Sequence, residues 1–259
     1  CRHCMLGRGG SAANEGEGST AVARGVRLVD GQGAELEGGG VALSRLASIE
    51  GARLDPRIDE CLIEVASDVD NPLLGENGAS AIFGPQKGAS PELVRQLDAA
   101  LGVYAEHLQT DLGKDVASIP GSGAAGGMGA GAMAFLGARL RPGFEIISEI
   151  LNLEALLEGV DLVITGEGRI DGQTVRGKTP AGVAAIARKL GKPVIAFGGS
   201  LGKDVEQVHS IGIEAVFGTI PRPCKLAEAL SEAELNLTHA ARNVAASLRL
   251  GMKLAENQL

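Results

Sequence analysis

The sequence between residues 161 and 197 is DLVITGEGRIDGQTVRGKTPAGVAAIARKLGKPVIAF. Its apolar runs, Asp161 to Thr165 and Val194 to Phe197, each predict a buried strand. Residues 180–190 carry apolar side chains at helical spacing, and Thr179 is the predicted N-cap of that helix. A strand, a helix and a strand at this spacing predict a parallel βαβ unit.

The same regular pattern continues towards the C-terminus. A further strand is predicted from Ala215 to Ile220, and apolar spacings of three and four predict helices between Leu226 and Leu254. The segments 166–178 and 198–202 are predicted as loops after the strands, where α/β proteins place their ligands. Residues 151–259 therefore predict a flavodoxin-like part made of parallel βαβ units.

The first part of the chain, residues 1–150, is richer in glycine loops. Residues 61–66 predict a buried strand, and Ser90 with Pro91 predicts the start of an amphipathic helix that continues to Leu108. Glycine clusters occupy 7–18 and 120–131, and a helix over 132–140 is predicted after the second cluster. We therefore expect a second α/β domain here, with a boundary near residue 150.

Composition excludes several classes of protein. The 259 residues are 44% hydrophobic, which is enough for a large core. Their 24 Lys and Arg against 32 Asp and Glu give a net charge of −8, which argues against a nucleic-acid partner. No apolar run reaches the roughly 20 residues that span a bilayer. We expect no membrane partner and a cytoplasmic protein.

Two nucleotide-binding patterns match by letter. Residues 172–179, GQTVRGKT, fit the P-loop pattern, but the strand before them is predicted to end at Thr165, too early for a P-loop. Residues 121–126, GSGAAG, fit the dinucleotide pattern, but Pro120 and a poor preceding strand argue against it. A P-loop NTPase and an NAD enzyme remain rival hypotheses.

Polar side chains follow the predicted strands. Asp68 and Asp70 leave one side of the chain together after the strand at 61–66, which suits Mg²⁺ or a hydroxyl group, and capping of the turn before Pro72 is the equally weighted alternative. Lys87 lies between a turn and a helix cap, where it is able to neutralise phosphate charge or is simply solvated, and taken alone the residue favours solvation. The loop after Thr165 adds charged and polar groups that indicate a site: Glu167, Arg169, Asp171, Gln173, Thr174 and Lys178.

Five segments, taken in order, resemble the signature segments of type I glycerate kinases. They are GRGGSAANEG at 7–16, DVDNPL at 68–73, FGPQKGA at 83–89, PGSGAAGG at 120–127 and TGEGRIDGQT at 165–174. The resemblance implies two α/β domains around a cleft, one of them Rossmann- or flavodoxin-like. It also implies transfer of a phosphoryl group from ATP to D-glycerate with the help of Mg²⁺. The oligomeric state is not implied.

The chain departs from the family pattern at its start. Family members continue N-terminally through a first strand, so we expect an N-terminally truncated chain with no strand ahead of the glycine loop. Within that loop, Ser11-Ala-Ala-Asn-Glu15 stands where the family shows Ser-Ala-Thr-x-Asp. A longer acid and a lost hydroxyl would weaken catalysis, and a non-catalytic binding relative is the alternative hypothesis.

The resemblance implies roles for individual residues. Asp70 and Asp171 are the candidates for metal ligation and for accepting the hydroxyl proton, with Asp68 as a further metal ligand. Lys87 and Arg169 are predicted to neutralise the charge of the transferred phosphate. The predicted substrate- and phosphate-binding residues are Gly9, Gly10, Ser11, Asn14, Glu15, Asn71, Gly121, Ser122, Gly123, Gly166, Glu167, Gln173, Thr174 and Lys178.

Overall fold

The structure is a computed structural model that describes residues 3–7, 25–50 and 56–257. It is an α/β protein with parallel sheets, as the sequence predicts. Its contacts divide the chain into two compact units, Cys1–Ile146 and Ile147–Leu259, which are described separately below.

The first unit contains two sheets and the helices that cover them. Its strands are β1 (His3–Gly7), β2 (Arg27–Asp30), β3 (Leu46–Glu50), β4 (Leu62–Ala66) and β5 (Arg139–Arg141). Its helices are α1 (Ala79–Phe83), α2 (Pro91–Leu112), α3 (Ala124–Leu136) and the start of α4 (Gly143–Ile150). Short 3-10 helices span Gly40–Arg45, Pro56–Glu60 and Pro85–Lys87.

Strands β1, β4 and β5 form a parallel sheet with β4 in the centre. Gly7 pairs with Ala66, and Ala66 pairs with Arg141, so the three strands end at one edge. The expectation that no strand precedes the glycine loop is therefore wrong. Five residues at the chain start show too little pattern to predict a strand, and the pairing partner lies far along the sequence.

Helix α2 confirms the predicted amphipathic helix. The Ser90 hydroxyl accepts a hydrogen bond from the Leu93 N–H at 3.2 Å, which caps the helix. Its buried side chains face the core of the unit: Leu97, Ala100, Leu101, Tyr104 and Leu108. Strands β2 and β3 pair antiparallel and pack against this core. The helix ends at Leu112, before Gly113 in the left-handed conformation, rather than at Leu108.

The helix predicted over 132–140 lies earlier in the chain. Helix α3 begins at Ala124 within the glycine cluster, and Ala125, Gly126 and Gly127 have positive φ angles that break its first turns. It ends at Leu136, because the residues after it form strand β5 along β4. Most of this helix is buried, which small residues permit.

The second unit contains a parallel sheet in the order β6-β7-β8. Its strands are β6 (Val163–Ile170), β7 (Val194–Leu201) and β8 (Ala215–Gly218). Its helices are α5 (Leu153–Glu158), α6 (Thr179–Lys189), α7 (Leu226–Ser231) and α8 (Ala233–Glu256). The predicted parallel βαβ unit is confirmed by β6, α6 and β7.

Strands β6 and β7 run past their predicted ends at Thr165 and Phe197. They pair from Val163 with Val194 through Ile170 with Leu201. A Cβ atom on Gly199 would lie 2.5 Å from the Gly168 carbonyl oxygen, so the glycines permit a close approach of the two backbones. The predicted loops 166–178 and 198–202 are therefore partly strand, because glycine there serves the pairing and not a turn.

The start of α6 and the end of β8 also differ from their predicted positions by one or two residues. Lys178 is the N-cap residue of α6, and Thr179 is already helical, with no side-chain capping bond at this end. Strand β8 ends at Gly218 instead of Ile220, where its pairing with β7 stops. Among the described residues, no helix is both long enough and apolar enough to cross a membrane.

Candidate functional site

The segment after β4 carries the first group of predicted site residues. Asp68 accepts a hydrogen bond from the Gly143 N–H through Oδ1 at 2.9 Å, at the start of α4. Its Oδ2 has no hydrogen bond within the described ranges, and Asp70 is exposed and has no bonded partner there. Asp68 thus has both a structural bond and a free oxygen.

The glycine segment at 120–127 packs directly on this strand end. The Gly123 N–H donates to the Asn71 carbonyl at 3.0 Å, and a Cβ on Gly123 would lie 2.2 Å from the Pro72 carbonyl oxygen. A Cβ on Gly121 would lie 2.8 Å from Leu140 Cδ1. These glycines are needed for close packing, which is a structural function of the segment.

Two of the predicted binding side chains are used inside the protein. Ser122 is fully buried and donates from its hydroxyl to the Ala117 carbonyl at 2.9 Å. The Asn71 amide donates to the Asn77 carbonyl at 2.9 Å. Both side chains therefore stabilise the loop, and the Ser122 hydroxyl is buried within it.

A cavity of about 370 Å³ opens at the end of β4, and we call it the strand-end pocket. Ser67, Asp68, Lys87 and the segment 124–126 contribute to its lining. Lys87 is exposed, and its ammonium group has no partner in the part of the chain that the structure describes. The pocket brings Asp68 and Lys87 together, whereas Asp70, Asn71 and residues 121–123 do not line it.

The predicted residues of the first glycine loop lie outside the described residues: Gly9, Gly10, Ser11, Asn14 and Glu15. The strand before that loop, β1, ends beside Ala66 at the same sheet edge as the strand-end pocket.

A polar cluster occupies the end of β6 in the second unit. The fully buried Thr174 hydroxyl donates to Glu167 Oε1 at 2.5 Å and accepts from the Asp171 N–H at 3.2 Å. Asp171 Oδ1 in turn accepts from the Gln173 N–H at 2.9 Å. Thr174 thus fixes both acidic residues, and its side chain is fully buried in the structure.

Two cations balance these two carboxylates. Arg169 Nε lies 3.1 Å from Asp171 Oδ2, and Lys178 Nζ lies 3.8 Å from Asp171 Oδ1 and 3.9 Å from Glu167 Oε2. The side chains of Arg169 and Lys178 are 64% and 40% exposed, whereas that of Asp171 is 15% exposed. The exposed cations are free to turn towards an anionic ligand while the carboxylates stay in place.

The structure also shows a residue that the sequence did not single out. A Cβ on Gly202 would lie 2.7 Å from Asp171 Cβ and 2.9 Å from Arg169 Nε. The Gly202 N–H donates to the Ile170 carbonyl at 2.7 Å. Gly202 therefore leaves the space that the Arg169–Asp171 pair occupies. The one feature of the sequence that could have indicated Gly202 is its position after a glycine-rich strand end.

The remaining predicted residues of this cluster differ in exposure and role. Gly166 lies within β6, and a Cβ there would lie 2.6 Å from the Phe197 carbonyl oxygen, so it serves strand pairing. Gln173 is exposed, and its backbone N–H is used by Asp171.

The structure agrees with one of the two arguments made about the nucleotide-binding patterns and corrects the other. Strand β6 reaches Ile170, so the predicted gap before the P-loop pattern is wrong. However, the N–H groups of Gly172, Gln173 and Thr174 are bonded to Lys203 or Asp171, whereas a P-loop directs such amides at phosphate. Before the dinucleotide pattern, residues 117–120 form a turn and not a strand.

Carboxylates at the ends of β4 and β6 are the candidate ligands of a magnesium ion. No group of three or more His, Cys, Asp or Glu residues in the described ranges is arranged to hold a metal ion. In kinases, one or two carboxylates with the substrate phosphates suffice for Mg²⁺. The free oxygens of Asp68 and Asp70 fit that requirement. Both oxygens of Asp171 are already engaged by Arg169, Gln173 and Lys178.

Comparison with known proteins gives a consistent set of matches. Residues 1–249 match the model described as the glycerate kinase family. The chain is 51% identical over 251 residues to the Glycerate 2-kinase of Escherichia coli K12, covering 97% of this chain and 66% of the relative. It is 51% identical over 241 residues to the Glycerate kinase of Halalkalibacterium halodurans, covering 93% and 63%.

A solved structure agrees with these sequence matches. The crystal structure of putative glycerate kinase 2 from Salmonella typhimurium LT2 is 51% identical and superposes with a TM-score of 0.82. It is matched over 97% of this chain and 66% of that chain. The chain thus spans slightly less than two thirds of the length of these relatives.

Proposed function

The chain belongs to the glycerate kinase family, and on that premise we propose that the protein transfers the γ-phosphoryl group of ATP to D-glycerate. The observation that supports this most strongly is the 51% identity to the Glycerate 2-kinase of Escherichia coli over 97% of the chain. Use of ATP is consistent with the cytoplasmic location that the sequence predicts.

The reaction has simple requirements. A glycerate hydroxyl oxygen forms a bond to the γ-phosphorus while the bond from that phosphorus to the β,γ-bridging oxygen breaks, and ADP leaves. The hydroxyl proton passes to a carboxylate. Catalysis depends on positioning and on neutralising the phosphate charge, and both tasks suit lysine, arginine and Mg²⁺.

The end of β4 supplies groups for the phosphate and its metal ion. Lys87 has an ammonium group without a partner among the described residues, so it is able to bind phosphate oxygens. Asp68 and Asp70 would hold Mg²⁺, which would help to neutralise the phosphate charge. The hydrogen bond from Gly143 holds Asp68 in place.

The cluster on β6 supplies groups for the acceptor. When Arg169 turns towards an anionic ligand, Asp171 Oδ2 is released while Oδ1 keeps its bond from the Gln173 N–H, so Asp171 is suited to orient the glycerate hydroxyl and accept its proton. Arg169 and Lys178 are exposed cations that would bind the glycerate carboxylate or the transferred phosphate. Glu167 keeps Lys178 close to Asp171.

We propose the 2-hydroxyl group as the acceptor, since the relative in Escherichia coli is named Glycerate 2-kinase. The product would then be 2-phosphoglycerate, which enolase dehydrates directly. A 3-phosphoglycerate product would be inert to enolase until a mutase is added.

An ADP-release assay with ATP, Mg²⁺ and D-glycerate tests the proposal. We expect turnover that depends on D-glycerate, is lower with L-glycerate, and yields a product that enolase consumes. Binding of glycerate or ATP by a folded protein without ADP release would instead select the non-catalytic alternative, which no present observation favours.

A further inference from the structure

The first unit contains a second cavity, of about 580 Å³, that adjoins the strand-end pocket. It lies between residues 37–45, the segment 84–89 and the start of α2, and we call it the outer pocket. Lys87 lines both cavities. A single lysine therefore serves two neighbouring spaces of a size typical of small-molecule sites.

The outer pocket has an apolar side. Val41 and Leu93 line it with exposed fractions of 44% and 36%, and Leu97 lies beneath them. Gly38 contributes open space, because a Cβ atom there would meet nothing within 4 Å. The pocket thus offers uncovered aliphatic surface and room for a flat ring.

The same pocket has cationic groups at its rim. Arg45 Nη2 lies 3.8 Å from Glu37 Oε2, but both side chains are largely exposed, so the pair is weak and easily exchanged for another anion. Lys87 forms no ion pair within the described part of the chain. The outer pocket therefore joins an apolar wall to two cations, which suits a ligand with a ring at one end and phosphates at the other.

We infer that the outer pocket binds the nucleoside of the phosphate donor, with the phosphates held at Lys87. This inference rests on the proposed function and adds where the donor binds. The base lies against Val41 and Leu93, where apolar contact replaces water. The phosphates lie at Lys87, which also faces the strand-end pocket and its Asp68.

Filling the outer pocket tests the inference. Gly38→Leu adds a side chain where there is space and where φ is not positive. We expect it to raise the Kd for ATP about tenfold or more, which corresponds to about 1.4 kcal/mol, and to leave the Kd for D-glycerate unchanged. Gly31→Leu is the matched control, since Gly31 is an exposed glycine with equal space that does not line the pocket.

Both constants are measured by calorimetry on the purified protein, so the result does not depend on turnover. Adenosine and inorganic tripolyphosphate serve as partial probes. Gly38→Leu should weaken the binding of adenosine and preserve that of tripolyphosphate, whereas Lys87→Ala should do the reverse. If Gly38→Leu fails to fold, Ala42→Leu on the same wall replaces it.

The outcomes separate the inference from the proposed function. Unchanged ATP affinity in Gly38→Leu, or a loss of D-glycerate affinity alone, would overturn the assignment of the outer pocket even if the protein is an active kinase. Weakened ATP binding in a protein that releases no ADP would support the pocket and refute the proposed activity.

Discussion

At the residue scale, the cluster at the end of β6 combines a buried hydroxyl group with exposed cations. Thr174 is buried and bonded to Glu167 and Asp171, whereas Arg169 and Lys178 face solvent. Sequence reasoning placed these residues together but grouped Thr174 with the phosphate ligands. Burial distinguishes the two roles, and it depends on packing that the local sequence does not show.

Replacing Thr174 with valine removes its hydroxyl and keeps its shape. We expect kcat to fall by about ten- to a hundredfold, because Glu167 and Asp171 lose the group that fixes them, with little change in the KM for ATP. The free energy of unfolding should fall by about 1–3 kcal/mol. Steady-state kinetics and urea unfolding measure both effects. Thr174→Ser should recover most of kcat, and a valine variant with full kcat would contradict the positioning role.

Substitutions of the two candidate acids should affect the kinetics differently. We expect Asp171→Asn to lower kcat by about a hundredfold or more at saturating Mg²⁺, because the hydroxyl proton loses its acceptor. Asp70→Asn should instead raise the Mg²⁺ concentration needed for half-maximal rate. Titration of Mg²⁺ at saturating ATP and D-glycerate distinguishes them. Equal behaviour of the two variants would show that the roles are wrongly divided.

At the element scale, much of the fold was predictable where the pattern was long and regular. Helix α2 and the βαβ unit of β6, α6 and β7 followed from apolar spacing and capping residues. The extension of β6 and β7 through glycine did not, because it depends on pairing between strands. Strand β1 was missed for the same reason.

The glycine pair between β6 and β7 gives a stability prediction. Gly199→Ala would place Cβ 2.5 Å from the Gly168 carbonyl oxygen, so the backbones must separate. We expect a loss of about 1–3 kcal/mol in the free energy of unfolding. Gly159→Ala is the control, because a Cβ there meets nothing within 4 Å. Denaturant midpoints that are equal for the two variants would contradict the close approach.

Asp111 links α2 to β3 in a way that depends on pH. Partial burial raises the pKa of Asp111, but hydrogen bonds from the Ile49 N–H, His107 and Thr110 outweigh it, so the pKa lies below the ordinary value of 3.8. The Ile49 N–H donates to Asp111 Oδ2 at 2.7 Å. A lowered folded pKa contributes stability that is present above pH 3.8 and is lost as the pH falls through the folded pKa.

Replacing Asp111 with asparagine tests this dependence. We expect Asp111→Asn to lower the free energy of unfolding at neutral pH by about 1–2 kcal/mol. The difference from the unaltered protein should shrink in acid, where the carboxylate of the unaltered protein becomes protonated. Asp115→Asn removes an exposed carboxylate without a bonded partner in the described ranges and serves as the control. A difference that stays constant with pH would contradict the linkage.

At the scale of the whole molecule, net charge and family membership indicate which class of ligand the protein binds. The net charge of −8 opposes polyanions, while the exposed cations Arg169 and Lys178 of the second unit stand as local exceptions beside Asp171. Such an arrangement suits a small anion and not a long one. The family resemblance depended on several segments taken together, because the two glycine patterns taken singly suggest a P-loop NTPase or an NAD enzyme.

This balance predicts that the protein does not bind nucleic acid. We expect no shift of duplex DNA or of single-stranded RNA in gel electrophoresis at low salt and neutral pH, because clustered cations are needed to release counterions. A salt-sensitive shift would contradict the prediction and would identify a cationic surface that the net charge conceals.

The paired extensions of β6 and β7 also have an entropic consequence. The backbone of Glu167 and Arg169 pairs with Gly198 and Ser200 of β7, so we expect hydrogen exchange in this segment to be slower than in a loop before any ligand arrives. A loop at the same place would lose conformational freedom on binding, at about 1–2 kcal/mol per residue. This part of the backbone is therefore ordered during folding. Ligand binding loses little free energy to ordering it.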